Sequence, residues 1–203
     1  MIAILDYEMG NLRSIQKKFD FCGIKTIITN NPLIIEKSDK LILPGVGHFK
    51  TAMDKINNNQ LSPLLNYMVL EKRTPILGIC LGMQLMAKFS EEGNANGLSW
   101  IDASVKKFNV INNLKYKVPH IGWNDIEKKK DSPLIKNINE TDKFYFVHSY
   151  HLVCDDPSDI MTETIYEYKF TSSIMKNNIF GVQFHPEKSQ KQGELILKNF
   201  SSL

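Results

Sequence analysis

One cysteine of this chain stands in a sequence that could turn its thiol into a nucleophile. Cys80 follows an apolar run and lies between Gly78 and Gly82, in the spacing G-x-C-x-G. Glycines at that spacing let the backbone turn sharply between a strand and a helix, as in a nucleophile elbow, and the helix dipole favours a thiolate there. A packed core cysteine is the competing interpretation. Cys22 and Cys154 lack this setting, and we assign both to packing.

A thiolate nucleophile requires a base, and the base requires a group that orients it. Among the five histidines, His185 ends an apolar run and is followed by Pro186 and Glu187. The carboxylate of Glu187 could accept a hydrogen bond from the imidazole and set its tautomer. An isolated His-Pro-Glu sequence is more typical of a histidine at a strand end beside a surface carboxylate. In combination with G-x-C-x-G, the sequence predicts a Cys–His–Glu triad.

The glycine-rich segment Pro44-Gly45-Val46-Gly47 follows another apolar run and could donate hydrogen bonds from its backbone. Attack of a thiolate on a carbonyl needs N–H groups that stabilise the oxyanion, and the N–H of Leu81, next to the nucleophile, is a second candidate. Phosphate binding is the competing interpretation of such a loop. An oxyanion site is favoured because the G-x-G-x-x-G and G-x-x-x-x-G-K-[ST] spacings are missing.

The elements that must position these groups alternate between strand and helix in the first half of the chain. Strands are predicted at 2–5, 26–29, 40–43 and 75–79, and helices at 12–22, 62–72 and 81–89. This alternation predicts right-handed βαβ crossovers and a parallel sheet. The second half predicts antiparallel strands at 100–108, 122–126, 143–148, 171–175 and 179–184, a solvated loop at 128–130 and a final helix at 193–203.

Length and composition limit the classes of function that the protein can have. The chain has 203 residues, of which 42% are hydrophobic and 23% charged, and this length favours one domain spanning 1–203. The net charge of +3 (25 − 22) is too small to indicate nucleic-acid binding. Three cysteines without a CxxC pair favour a reducing compartment. No apolar run reaches the ~18 residues of a membrane span, and the N-terminus is typical of a strand, so we expect a cytoplasmic protein without membrane association.

Several motifs together resemble those of the triad-type, class I glutamine amidotransferases. Those that carry the resemblance are GICLGMQ at 78–84, HPE at 185–187 and PGVG at 44–47. Five others narrow it to the glutaminase subunits of imidazole glycerol phosphate synthases: DY at 6–7, GNL at 10–12, PHIGWN at 119–124, FYFVHSY at 144–150 and QFHPEKS at 183–189. The fold implied is flavodoxin-like α/β, with a mixed sheet, parallel in its first half and antiparallel in its second, and helices on both faces.

The resemblance also implies a role for individual residues. Cys80 is expected to be the nucleophile, His185 the acid–base and Glu187 its orienting partner. The oxyanion site is expected at Gly45, Val46, Gly47 and Leu81. The substrate is expected to be held by Gln84, Glu92, His148, Ser149 and Tyr150. The residues expected to face a partner or its ammonia gate are Trp123, Asn124 and Lys188.

By the same resemblance, the chain hydrolyses L-glutamine through a cysteine thioester and passes ammonia to a cyclase, a (β/α)8 barrel with which it forms a heterodimer. The cyclase makes the imidazole ring of histidine and an aminoimidazole carboxamide ribotide. Two residues depart from the family pattern: His48, where a small residue is usual, and Glu167, where glycine is common. Neither belongs to the triad. Paralogues that supply ammonia for surface-polysaccharide sugars share most of these motifs and are the alternative pathway.

Two further functions remain as alternatives from the sequence. A catalytically silent regulatory subunit would keep the fold and the partner surface, but the complete triad argues against it. A free-standing cysteine hydrolase, such as a γ-glutamyl hydrolase, is disfavoured by the short chain and the segment 122–124. We expect no metal and no organic cofactor, since His120, His148 and His151 lack metal-ligand spacing with carboxylates.

Overall fold

A parallel sheet forms the centre of the first half of the protein. The structure is a computed structural model that describes all residues, Met1–Leu203. Strands β1 to β4 are Ile2–Leu5, Thr26–Thr29, Lys40–Leu43 and Ile76–Ile79. They pair in parallel in the order β2–β1–β3–β4. Every residue of β1 and β4 is buried, which explains their uninterrupted apolar sequences.

Helices cover both faces of this sheet. Helices α1 to α6 are Leu12–Phe21, Pro32–Glu36, Phe49–Asn58, Leu61–Asn66, Leu81–Leu85 and Gln190–Ser201, and a π-helical turn, Tyr67–Glu71, follows α4. The apolar residues of α1 and α6, such as Phe19 and Phe200, pack into one core, and those of α3 and α4, such as Ile56 and Leu65, pack into the other. The two cores lie on opposite faces because alternate residues of a strand point to opposite sides of the sheet.

The second half extends the sheet with antiparallel strands. Strands β5 to β14 are Phe89–Ser90, Ala95–Asn96, Ala103–Lys107, His120–Asp125, Glu127–Lys128, Lys143–His148, Tyr150–Cys154, Ile160–Tyr166, Tyr168–Lys176 and Ile179–Val182. The order continues from β4 as β14–β13–β11–β7–β5–β6. Strands β8 and β10 form a separate antiparallel ribbon. The predicted fold class, a mixed α/β sheet with helices on both faces, is confirmed.

Several predicted elements differ from the structure. Helix α5 ends at Leu85, because the backbone N–H groups of Trp100 and Ile101 bind the Met86 carbonyl and a new strand begins at Phe89. The helix predicted at 62–72 is divided into α4 and the π-helical turn, and the strand predicted at 100–108 is the shorter β7. Helix α3 was not predicted, although its buried residues Phe49, Ala52, Met53 and Ile56 follow helical spacing.

The antiparallel prediction is wrong on one side of β14. This strand pairs antiparallel with β13 but parallel with β4, with Val182 beside Ile79. The parallel pairing inserts a C-terminal strand next to the strand that carries Cys80. It therefore joins the two halves of the molecule at the edge where the predicted triad lies.

The solvated loop predicted at 128–130 is confirmed in part, since Lys128 and Lys129 are exposed and residues 129–130 lie outside any strand. Lys128 belongs to β9, and Lys129 lies 3.3 Å from the Glu127 carboxylate and 3.2 Å from that of Glu163. Lys130 donates from Nζ to the Met175 carbonyl at 2.6 Å. Lys129 and Lys130 therefore tie this segment to the neighbouring strands. Across the chain, no helix combines the length and the apolar character needed to cross a membrane.

Candidate active site

Cys80 lies at the junction between β4 and α5, in a backbone conformation that few side chains adopt. Its φ is +55° and its ψ is −111°, and its backbone N–H donates to the Val182 carbonyl at 2.8 Å. A Cβ atom at Gly82 would lie 1.8 Å from the Leu43 carbonyl oxygen, and one at Gly78 would lie 2.7 Å from the Met83 nitrogen. Both glycines are therefore required by close backbone approach. This is the strained turn of a nucleophile elbow.

His185 reaches the same sheet edge from β14. Its Nδ1 lies 2.8 Å from a Glu187 carboxylate oxygen, and each side chain is only 3% exposed. Because a carboxylate accepts hydrogen bonds, Nδ1 carries the proton, and the buried Nε2 has no hydrogen-bond partner. Burial lowers the pKa of His185, but its interactions with the Cys80 sulfur and the Glu187 carboxylate more than offset this and raise the pKa to about 10. The group is a proton donor held beside the thiol.

Ser189 fixes the segment that carries His185. Its hydroxyl donates to the His185 carbonyl at 2.6 Å and accepts the N–H of Tyr145 at 3.0 Å. The His185 N–H in turn donates to the Tyr145 carbonyl at 2.9 Å. Ser189 was not predicted as a site residue, although it lies in the motif at 183–189. It ties the histidine to strand β10.

The glycine-rich loop at 44–47 lies against the start of α5. A Cβ atom at Gly45 would lie 2.9 Å from the Gly82 nitrogen and from the Leu81 Cβ, so only glycine fits there. Gly47 has a φ of +101°, a region that favours glycine. The N–H groups of Val46 and Gly47 donate to no protein acceptor, and the N–H of Leu81 is the first of its helix, with no acceptor inside it. These donors are available to a ligand.

A buried tyrosine holds the entrance of this loop. The Tyr7 hydroxyl donates to the Pro44 carbonyl, and the side chain is fully buried. Burial, and after it the charge of the nearby Cys80 sulfur, raises the pKa of Tyr7 far above its usual range, so the phenol stays neutral and keeps its proton for Pro44. Tyr7 is a second residue whose part in the site was not predicted, although the resemblance included it in a motif.

One cavity of about 380 Å³ brings most of the predicted site together. The predicted residues that line it are Val46, Gly47, Cys80, Leu81, Gln84, Glu92, His148, Ser149, Tyr150, His185 and Lys188. Pro119 and Val147 line it as well and were not predicted. Four predicted residues do not line it: Gly45, Glu187, Trp123 and Asn124. Gly45 is buried behind the loop, and Glu187 lies behind His185.

Glu92 joins the cavity to helix α3. One of its carboxylate oxygens accepts the N–H of Phe49, the first residue of the helix, at 2.8 Å. A negative charge is favourable at that position because it meets the positive end of the helix dipole. The second oxygen makes no hydrogen bond in the protein and is free for a ligand. His48, which precedes the helix, is exposed, and its ring packs against Gly93.

Three histidines beside the cavity are held neutral. Nδ1 of His120 lies 3.1 Å from Nε2 of His148, whose Nδ1 lies 2.8 Å from the Tyr150 carbonyl. Burial lowers the pKa of His120 to about 4 and that of His148 well below its usual range, and it also lowers the pKa of His151. Because the Tyr150 carbonyl only accepts hydrogen bonds, the neutral His148 carries its proton on Nδ1. Its Nε2 is therefore an acceptor, and Nδ1 of His120 donates to it.

The ribbon of β8 and β10 places Trp123 and Asn124 on opposite faces. The Trp123 side chain is on the exposed face with Ile121, whereas the Asn124 amide donates to the Ile165 carbonyl at 3.0 Å. Trp123 packs edge-on against the cross-strand ring of Tyr145, with centroids 5.9 Å apart, and Nζ of Lys188 lies 5.4 Å from the centroid of the same ring. Tyr145, which was not predicted, therefore connects the exposed tryptophan with the lysine at the cavity.

The other cysteines differ from Cys80 in their surroundings. Burial raises the pKa of Cys154 to about 12 and also raises that of Cys22.

Glu167, the second departure from the family pattern, has a φ of +62° in the turn between β12 and β13, where glycine is favoured. Its carboxylate accepts the N–H groups of Ile111 and Asn112, both at 2.7 Å. Glu167 lacks the conformational freedom of a glycine, but its carboxylate makes two hydrogen bonds to the neighbouring loop.

The sequence pattern of the family described as Glutamine amidotransferase class-I matches residues 3–202. The chain belongs to this family. A relative from Methanococcus maripaludis, named imidazole glycerol phosphate synthase subunit HisH 2, is 48% identical over 200 residues, which cover 98% of each chain. A HisH 1 subunit from Campylobacter jejuni is 45% identical, with all of both chains covered. The resemblance inferred from the motifs is confirmed.

Solved structures of amidotransferases share the fold. The structure of PurLQS from Thermotoga maritima contains a chain that superposes with a TM-score of 0.72 at 15% identity, covering 99% of this chain and 97% of that one. At this identity the likeness concerns the fold alone. The superposed chain has the same arrangement of sheet and helices as the one described above.

Proposed function

We propose that this amidotransferase hydrolyses L-glutamine to glutamate and ammonia at Cys80, as the glutaminase subunit of an imidazole glycerol phosphate synthase. The observation that carries the proposal is the meeting of Cys80 and His185 in one cavity, with Glu187 bound to the imidazole behind it. The HisH relatives, similar along the whole chain, support the same assignment.

The first half of the reaction forms a thioester. The Cys80 thiolate attacks the side-chain carbonyl of glutamine, and the negative charge moves to the carbonyl oxygen. The unpaired N–H groups of Val46, Gly47 and Leu81 are the donors that would receive this oxyanion. His185 gives the proton on Nε2 to the departing nitrogen, the C–N bond breaks, and ammonia leaves.

The second half releases glutamate. His185, now neutral on Nε2, takes a proton from water while the oxygen attacks the thioester carbonyl. The same backbone donors stabilise the second oxyanion, and the C–S bond breaks to restore the Cys80 thiolate. Glu187 keeps the imidazole in one tautomer and compensates its positive charge, and it transfers no proton.

The α-amino acid part of glutamine needs groups of its own. The free carboxylate oxygen of Glu92 would bind the α-ammonium group, since it lines the cavity and carries the charge that an ammonium requires. His148, Ser149 and Tyr150 line the same cavity, and their backbone would help to hold the substrate. The cavity therefore contains both an acidic group and the nucleophile, as a glutamine substrate requires.

Ammonia released in open solvent would be protonated, so the site should discharge it into a partner. We propose that the partner is a (β/α)8-barrel cyclase and that it docks on the face formed by Ile121 and Trp123. These two side chains are 59% and 44% exposed on the same face of a short ribbon, and one strand of this ribbon also carries the cavity residues Val147 and His148. Lys188 and Tyr145 lie between this face and the triad.

The test combines an activity with a genetic readout. The chain is co-expressed and purified with a (β/α)8-barrel cyclase of the same genome, and glutamate is measured with and without the cyclase ligand. Activity that is lost in Cys80→Ala and retained in Cys154→Ala supports the proposal, and turnover in Cys80→Ala contradicts it. Rescue of a histidine auxotroph lacking its glutaminase subunit supports the pathway, whereas failure of an active chain to rescue it favours the paralogous role in sugar synthesis.

All three cysteines carry free thiols, as they would in a reducing compartment. A cytoplasmic location stays a prediction. It would be contradicted by recovery of the native protein outside the cytoplasmic fraction.

A further inference from the structure

Gln183 is a buried residue that contacts the nucleophile and has no part in the mechanism above. Its side chain is fully buried, and its Nε2 lies 3.6 Å from the Cys80 sulfur, within the range of an N–H···S hydrogen bond. Its Oε1 accepts a hydrogen bond from Nε2 of Gln84 at 2.9 Å. The same Gln84 nitrogen also donates to the Tyr150 carbonyl at 2.9 Å.

The parallel pairing of β14 with β4 brings Gln183 to this position. Val182 and Ile79 are register partners, so the next residue of each strand, Gln183 and Cys80, also lie side by side. Two backbone bonds fix both residues: the Cys80 N–H donates to the Val182 carbonyl at 2.8 Å, and the Gln183 N–H donates to the Ser172 carbonyl at 2.9 Å. The contact with sulfur therefore follows from strand register.

The hydrogen-bond chain fixes which end of the Gln183 amide faces the sulfur. A backbone carbonyl only accepts, so Gln84 must present its NH2 group to Tyr150. The second N–H of that group then requires an acceptor, which is Oε1 of Gln183. If either amide were reversed, two oxygens or two NH2 groups would face each other inside the protein at a cost of an unmade buried hydrogen bond. The NH2 group of Gln183 is thereby directed at Cys80.

We infer that Gln183 is a further catalytic residue, whose side-chain amide donates a hydrogen bond to the Cys80 thiolate and stabilises it before it attacks. The inference rests on the proposed function in taking Cys80 as the nucleophile. Besides His185, the sulfur has one more polar neighbour, the Val147 carbonyl at 3.9 Å, which can accept from a thiol but repels a thiolate. Gln183 is thus the neutral group that favours the charged form of the sulfur, and Gln84 acts as its positioning residue.

Two substitutions separate the donor from the shape of the side chain. Gln183→Glu keeps an acceptor for Gln84 and places a carboxylate oxygen, which repels a thiolate, beside the sulfur. Gln183→Met fills a similar volume and offers no donor. Gln16→Met is the matched control, because Gln16 also donates a hydrogen bond from Nε2, to the Thr26 carbonyl at 3.4 Å, but lies on α1 outside the cavity.

The primary readout is the alkylation of Cys80 by iodoacetamide as a function of pH, followed by mass spectrometry of the Cys80 peptide, with Cys80→Ala as the blank. This measurement needs no glutamine turnover, so it distinguishes failure of the inference from failure of the proposed function. We expect the pH of half-maximal reactivity to rise by at least one unit in Gln183→Glu and by a smaller amount in Gln183→Met. The control should match the native chain.

The second readout is glutaminase activity in the complex with the cyclase. Because removal of a hydrogen bond to a charged group is costly, we expect kcat/KM to fall by roughly tenfold to a hundredfold in Gln183→Met. The fall should be larger in Gln183→Glu. Circular dichroism and thermal unfolding establish that both variants are folded. Alkylation profiles that coincide with the native one in both folded variants overturn the inference, as does an equal shift in Gln16→Met. If Gln183→Met does not fold, the profile of Gln183→Glu decides alone.

Discussion

The imidazole of His185 is bound through Nδ1 to a Glu187 carboxylate oxygen 2.8 Å away, and both side chains are 97% shielded from water. A charged pair so well shielded interacts strongly, because little solvent screens it. Together with the Cys80 sulfur, it overcomes the desolvation that would otherwise keep a buried histidine neutral. His185 therefore stores the proton that the departing ammonia requires.

Glu187→Gln separates the charge of this residue from its geometry. The amide oxygen still accepts from Nδ1, so the tautomer is kept, but the negative charge that raises the pKa of His185 is removed. We expect kcat/KM to fall by roughly tenfold to a hundredfold and the alkaline limb of its pH profile to move to lower pH. Steady-state glutaminase assays between pH 6 and 10.5 measure both effects. An alkaline limb that stays in place would show that Glu187 only orients the ring.

The three buried histidines should make the stability of the fold sensitive to acid. Burial lowers the pKa of His120, His148 and His151, so below a pH of about 6.5 the unfolded chain binds protons that the folded chain does not. The free energy of unfolding should then decrease as the pH falls from 6.5 towards 4, by up to ~1.4 kcal/mol per pH unit for each histidine. In His120→Phe, one such contribution is removed and this slope becomes shallower. Urea titrations at several pH values measure it.

The control for this prediction is His48→Gln, since His48 is exposed and should leave the slope unchanged. His120→Asn adds a second comparison, because an asparagine amide can still donate to His148 although it loses the stacking of His120 on Tyr166, whose centroid is 4.0 Å away. A slope in His120→Phe equal to that of the native chain would exclude His120 as a source of the acid sensitivity.

Glu92 is expected to serve both a helix and the substrate, and two substitutions distinguish these roles. Glu92→Ala removes the acceptor for the Phe49 N–H and should lower the free energy of unfolding by about 1 kcal/mol, as loss of a helix cap does. Glu92→Gln keeps an acceptor, so stability should change little, but the charge that would bind the α-ammonium group is lost and KM should rise at least tenfold. Glu91→Ala is the control, because Glu91 accepts the N–H of Lys107 at 3.0 Å outside the cavity. An unchanged KM in Glu92→Gln would remove Glu92 from the substrate site.

The sequence allowed prediction of the features that depend on local spacing. Gly78 and Gly82 flank Cys80 because backbone atoms leave no space for a side chain there, and that requirement is visible as G-x-C-x-G. The contact of Gln183 with Cys80 was not predictable in this way, since it depends on the register between two strands about a hundred residues apart. The end of α5 was missed for a similar reason. Apolar residues continue past Leu85, and only the return of the chain at Trp100, which caps Met86, ends the helix.

The glycine-rich loop gives a prediction about oxyanion stabilisation. Gly47 has a φ of +101°, and a Cβ atom there would lie 3.2 Å from the Met9 Cε. Because alanine rarely adopts this φ, Gly47→Ala should rotate the backbone and turn the N–H groups of the loop away from the positions they occupy. Loss of one oxyanion donor costs about 3 kcal/mol, which is roughly a hundredfold in kcat. Gly23→Ala is the matched control, since Gly23 has a φ of +75° at the end of α1, with no atom within 4 Å of the added Cβ.

Both glycine substitutions introduce backbone strain, so both variants should unfold at a lower temperature than the native chain. Only Gly47→Ala should lose glutaminase activity in the complex with the cyclase, and its KM should change much less than its kcat, because the oxyanion exists only after attack. Alkylation of Cys80 should proceed normally in this variant, since the thiolate forms before the oxyanion. A normal kcat in Gly47→Ala, with the expected loss of stability, would show that the loop provides none of the donors and that the Leu81 N–H stabilises the oxyanion without it.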